Sequence, residues 1–242
     1  MFILLRKRDL LFSACFCVFL AAFSALMLHG ISAPVSVFAP QGGVPVTVVI
    51  DPGHGGEDGG AVSPTGVQES HINLAVSLRL DELLRFAGQR TVLTRREDVS
   101  TNDEGLSTVK ARKASDLRNR VKLVNDTENA VLLSIHQNSL PSSTVTHGAQ
   151  VFWNTQQGAE ELAGAIQDTL NLWINAGNEK HTKPIPQTIY LMKNAEAPAV
   201  LVECGFLSNS AETAQLQEPS YQMKIAAAVA VGYLRCLKGE SQ

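Results

Sequence analysis

VVIDPGHGGEDGGA, residues 48 to 61, runs from an apolar, β-branched stretch into a segment so rich in glycine that neither a strand nor a helix continues through it. Val48, Val49 and Ile50 read as a buried strand. Pro52 and Gly53 then force a turn, which leaves His54 at the open end of that strand. Gly55, Gly56, Gly59 and Gly60 let backbone approach a ligand or ion closely, because glycine tolerates positive φ.

The same alternation continues outward from this stretch. Residues 46–51, 90–95 (RTVLTR), 130–136 (AVLLSIH), 149–154 (AQVFWN), 188–193 (TIYLMK) and 199–205 (AVLVECG) read as strands by length and composition. Residues 69–87 carry Ile72, Val76, Leu80, Leu83 and Leu84 at near-helical spacing, and 108–126, 158–175 and 219–238 behave similarly. Apolar strands alternating with amphipathic helices predict an α/β fold: a mostly parallel twisted sheet of about six strands with helices on both faces. In such sheets functional groups emerge at the carboxyl ends of strands, where His54, His136 and Glu203 all fall.

The chain has 242 residues, 45% of them hydrophobic and 18% charged, which suits a single catalytic domain over residues 46–240. A net charge of −3 gives no basic surplus and argues against nucleic acid as a partner. Residues 1–30 differ from the rest. Arg6, Lys7 and Arg8 precede an uncharged apolar run from Leu10 to Leu28, which reads as a signal-anchor or transmembrane segment with its positive flank in the cytoplasm. Pro34 and Pro40 directly follow the small residues Ala33 and Ala39, a poor fit to signal-peptidase cleavage, so an uncleaved anchor is the favoured reading. Residues 31–45 then form a linker, and the domain is expected outside the membrane, in a bacterial cell envelope. Cys15 and Cys17 lie in the apolar segment, which leaves Cys204 and Cys236 in the domain and allows at most one intradomain disulfide.

Ionisable groups at the tips of apolar strands are costly unless they are paired, hydrated or bound to metal. His54 and His136 end two such strands, and Glu69 opens the first long helix fifteen positions after His54, where the loop could fold it back. Two imidazoles and a carboxylate fix three corners of a tetrahedral zinc site and leave the fourth for water. A second, unligated carboxylate must then carry the proton. On this chemistry His54, Glu69 and His136 are the candidate ligands of one Zn2+, and Glu203 is the candidate catalytic residue. These four positions are scattered along the chain, unlike the ligands of HExxH, so spacing by itself does not establish the site.

IDPGHGGEDGGA, the glutamate fifteen residues after its histidine, SIHQNS and PAVLVECGFLSN, in that order, resemble the zinc-dependent N-acetylmuramoyl-L-alanine amidases of the amidase-3 family over roughly residues 46–236. The resemblance implies that the residues matching His54, Glu69 and His136 bind zinc and that the one matching Glu203 is catalytic. It also implies the substrate: peptidoglycan, cut at the amide joining the lactyl group of N-acetylmuramic acid to L-alanine. Gln137 departs from the alanine found at that position in many members. SIHQNS, the short chain, the N-terminal anchor and the lack of a wall-binding module look most like the germination-specific amidases that help make muramic δ-lactam in the spore cortex. The region 155–187 has room for one helix and a loop, with no long helical insertion of the kind that blocks the metal in division-associated relatives; a protein activator is conceivable, but no residue points to one.

Other readings stand beside this one. Cys204 adjoins Glu203 and raises a metal-free cysteine hydrolase, although neighbouring strand residues face opposite ways. A catalytically inactive peptidoglycan-binding domain is another alternative, set against the presence of all four site residues. Asp58 reads as a group that orders the loop or a ligand, while His71, His147 and His181 read as surface or groove residues. Arg95, Arg96, Arg118 and Arg120 are expected to pair with acids on the surface and stay outside the site.

Overall fold

The computed structural model describes residues 45–239. The proposed membrane segment and most of the linker lie outside these residues; within them no helix is long and apolar enough to cross a membrane. A six-stranded sheet runs in the order β2-β1-β3-β6-β4-β5, with β1 Thr47–Pro52, β2 Arg90–Leu93, β3 Ala130–Asn138, β4 Gln150–Trp153, β5 Lys183–Pro184 and β6 Ala199–Phe206. Strands β2, β1, β3 and β6 are mutually parallel. β4 pairs antiparallel with β6 and parallel with β5, so two strands at one edge are reversed and the sheet is mostly parallel, as its composition predicts.

Strand side chains alternate between two cores. Val48, Ile50, Val131, Leu133, Ile135, Val200, Val202 and Cys204 face helices α1 (Glu69–Phe86), α3 (Ala159–Trp173) and α6 (Pro219–Leu237). Val49, Leu132 and Leu201 face α2 (Val109–Asp126) and α4 (Tyr190–Asn194). Burial on both faces is why these strands read as continuous apolar runs. The second face carries Asp51, Ser134, His136 and Glu203 toward the carboxyl ends of their strands, and there the packing between sheet and helices opens into a cleft.

One expected strand is a helix. TIYLMK lies largely in α4, where Leu191 and Met192 are adjacent and both buried while Tyr190 and Lys193 are exposed, a pattern no half-buried strand can produce. The sixth strand is instead β5, two residues long, which pairs with β4 at the sheet edge. A further helix, α5 (Ser210–Gln217), follows β6, its amides capped by the Asn209 side chain.

Candidate active site

β1 ends at Pro52, and the chain turns through Gly53 to His54, whose φ of 60° lies in the left-handed region. A non-glycine residue there is uncommon and marks a conformation held by its surroundings. Gly53 leaves room for the His136 ring, with which a Cβ at this position would collide. Gly60, with φ of 70°, lets the returning loop pass beside both His54 and Glu69.

Glu69 is the first residue of α1 and is nearly fully buried. Its Oε2 accepts from the Ala61 amide at 2.8 Å and lies 3.4 Å from His54 Nε2. Its Oε1 accepts from the Gln137 amide at 3.0 Å and from Asn73 Nδ2 at 3.2 Å, and it lies 2.9 Å from His136 Nδ1. The two imidazoles meet edge to face with centroids 5.1 Å apart. One donor atom each from His54, Glu69 and His136 all lie within 4.8 Å of one another, so these three can hold a metal ion. Burial opposes ionisation of Glu69, but the hydrogen bond and charge of His136, with His54 and the Ala61 amide, outweigh it and hold the carboxyl near 2.

Asp58 lies outside this triad. Its Oδ2 is 3.0 Å from His54 Nδ1, while its Oδ1 accepts from Lys113 Nζ at 2.8 Å, so it orients the ring and leaves Nε2 turned toward Glu69. His71 pairs with Asp98 at the surface, and His147 and His181 are exposed.

Glu203 is the register partner of His136 across the β3–β6 ladder, and a bulge follows the pair at once. Burial pushes its carboxyl up to about 7, with His136 working against that rise and Glu69 adding to it. Its Oε2 is buried and has no hydrogen-bond partner among the described residues. A carboxyl that is half ionised near neutrality, beside a group of three potential ligands, is equipped to take up and release a proton. All four residues open into one cleft of about 420 Å³, whose walls also include Lys113 and Leu117 of α2 together with Ile189 and Tyr190.

The sequence pattern of the Amidase_3 family, described as N-acetylmuramoyl-L-alanine amidase, matches residues 48–235. The chain belongs to this amidase family. A germination-specific N-acetylmuramoyl-L-alanine amidase of Bacillus subtilis is 38% identical over 78% of each chain. Among solved structures, the CwlD amidase of Clostridioides difficile, in complex with the GerS lipoprotein, is 36% identical with a TM-score of 0.76, covering 79% of this chain and 98% of that one. An N-acetylmuramoyl-L-alanine amidase of Clostridium difficile 630 is 27% identical with a TM-score of 0.69, covering 81% and 99%. The chain is thus a cell-wall amidase acting on peptidoglycan.

Two arginines of this amidase are not the surface groups expected from sequence. Arg95 and Arg120 are 3% and 2% exposed and lie beneath the His54 turn. Arg120 donates to the carbonyls of Pro52 (2.9 Å) and His54 (2.7 Å) and pairs with Asp51 (2.6 Å) and Asp116 (2.8 Å). Arg95 donates to Pro52 O as well (2.9 Å). Asp116, four residues before Arg120 on α2, was the available signal, but an i,i+4 pair is equally common on exposed helices. Cys204 is fully buried on the opposite face of the sheet from Glu203, among Val202 and the residues of α1 and α6, and burial raises its thiol pKa far above the usual range. It is a core residue.

Proposed function

We propose that the chain is a zinc-dependent amidase of the cell envelope that hydrolyses the amide between the lactyl group of N-acetylmuramic acid and L-alanine, in the remodelling that forms muramic δ-lactam in the spore cortex. The observation that carries this reading is the convergence of His54, Glu69 and His136, from three separate elements, beside a protonatable Glu203. The donor set fits zinc: two neutral imidazole nitrogens and one carboxylate oxygen, with the His54 ring held by Asp58 and Glu69 held by the Gln137 amide. When bound, the ion supplies a Lewis acid that acidifies water and polarises a carbonyl.

The chain's own residues do the rest. Asp58 holds the His54 ring, and Asn73 with the Gln137 amide holds one oxygen of Glu69. Glu203 accepts the proton of the attacking water and returns it to the departing L-alanine amine, which a carboxyl near 7 does at neutral pH with little energetic mismatch. The cleft walls seat the glycan and stem peptide on either side of the scissile bond.

The germination-specific relative supports the spore-cortex assignment. Residues 1–30 are assigned as the anchor that keeps the domain outside the cytoplasmic membrane. The lipoprotein bound to the C. difficile CwlD amidase makes a lipoprotein the kind of partner proposed for this chain.

Incubating the full chain with purified peptidoglycan tests the reaction. New alanine amino groups should appear, stop with a chelator and return with Zn2+. Release of any other terminus, or undiminished release in chelator, would contradict the proposal.

A further inference from the structure

Gly53 O is a meeting point. Arg95 Nη2 donates to it at 3.0 Å and at the same time to Ser70 O at 2.9 Å. Asn73 Nδ2 donates to it at 3.1 Å and at the same time to Glu69 Oε1 at 3.2 Å. Gly53 precedes His54, and Ser70 follows Glu69. Each donor therefore bridges the chain segment that carries one candidate ligand to the segment that carries another.

The remaining contacts of Arg95 have the same character. Nε donates to Pro52 O and Nη1 to Glu97 O, so all four of its hydrogen bonds go to main-chain carbonyls. Burying a guanidinium on neutral carbonyls is an expensive way to stabilise a fold, since a carboxylate partner or an apolar replacement would cost less. What the planar fork offers is geometry: donors at fixed angles that hold several oxygens in register. The loop lies directly on it, because a Cβ at Gly55 would come within 2.9 Å of Arg95 Nε.

We propose that Arg95 and Asn73 are positioning residues that fix the spacing between His54 and Glu69, and that this spacing sets the affinity for the metal. The inference rests on the zinc reading above. Donors already held at the binding distance lose little freedom when an ion arrives, whereas donors on an untethered turn must be ordered first.

The test compares the full chain with Arg95→Lys and Asn73→Ala. Lysine keeps the charge but has no fork, and alanine favours the helix at position 73. Zinc affinity is measured by competition with a chromophoric chelator, and Tm is recorded with and without zinc. Both variants should bind zinc about 10- to 100-fold more weakly, and the rise in Tm on adding zinc should shrink beyond any change in the metal-free Tm. If Arg95→Lys does not fold, Asn73→Ala decides. Variants with a lower metal-free Tm but parental affinity would overturn the positioning role. A parent chain that binds no zinc would overturn the metal reading and this inference with it.

Discussion

Glu203 and His136 stand opposite each other on adjacent parallel strands, and both open into the same cleft. The imidazole is held by the buried carboxylate of Glu69, whereas the buried oxygen of Glu203 has no protein partner among the described residues. The ladder thus sets a fixed candidate ligand beside a free acid, which is the division of labour that an amide hydrolase requires.

Glu203→Gln removes the proton acceptor without touching the three donor residues. It should keep its zinc and lose about 10²- to 10⁴-fold in turnover. Metal content and alanine release, measured on the same preparation, check this; normal wall digestion by the variant would show that Glu203 has no role in proton transfer.

The pH profile carries a sign. Glu203 must be ionised to accept a proton, and burial raises its pKa to about 7. Activity should therefore fall as the solution becomes more acidic. A cation on the neighbouring donors favours the ionised form and places the midpoint at or below that value. A plot of kcat/KM against pH should show this acidic limb, and a rate that climbs on acidification would contradict it.

Gly53→Ala places a methyl group where the His136 ring lies. Its φ is not in the left-handed region, so the backbone tolerates alanine and the damage falls on the ring. The variant should fold with a modest loss of Tm and lose most of its zinc. Full metal occupancy would show that the ring has room to move.

Asp51 and Arg120 form an ion pair with both side chains almost fully buried. Burial opposes ionisation of Asp51, but Arg120, His136 and the hydroxyls of Ser134 and Thr94 outweigh it and leave the pKa below its usual value. The pair therefore stabilises the fold fully above the unfolded value of about 3.9, and the contribution is lost as pH falls through the lower folded value. Asp51→Asn should cost about 3–5 kcal/mol near neutrality and show a shallower loss of stability below pH 4. Urea titrations across that range measure both.

Cys204→Ala should retain parental activity, with about 1 kcal/mol lost from the core. Iodoacetamide should leave the folded parent active. Inactivation by the alkylating agent would revive a thiol mechanism.

The fold was legible where burial on both faces imposes a continuous apolar run, as in β1, β3 and β6. It failed at residues 188–193, where composition alone cannot separate a short buried strand from one helical turn with two adjacent inward residues. α5 was missed because SAETAQLQ has almost no apolar stripe; Asn209 followed three residues later by Glu212 was the helix-start signal in plain sight. That glutamate does not close a capping box, accepting instead from the amides of Gly148 and Phe206. Motifs pointed to the four candidate site residues, and the structure brings three of them within coordination reach. Arg95 and Arg120 stayed hidden because the carbonyls they bind belong to a turn about forty or more residues away in sequence. No local pattern encodes such a contact.

His54, Glu69 and His136 are proposed to hold one divalent ion in the working enzyme. Elemental analysis of the folded, active full chain tests it most directly. One zinc per chain is expected, lost together with activity in His136→Ala. Active protein with no stoichiometric divalent ion would contradict it.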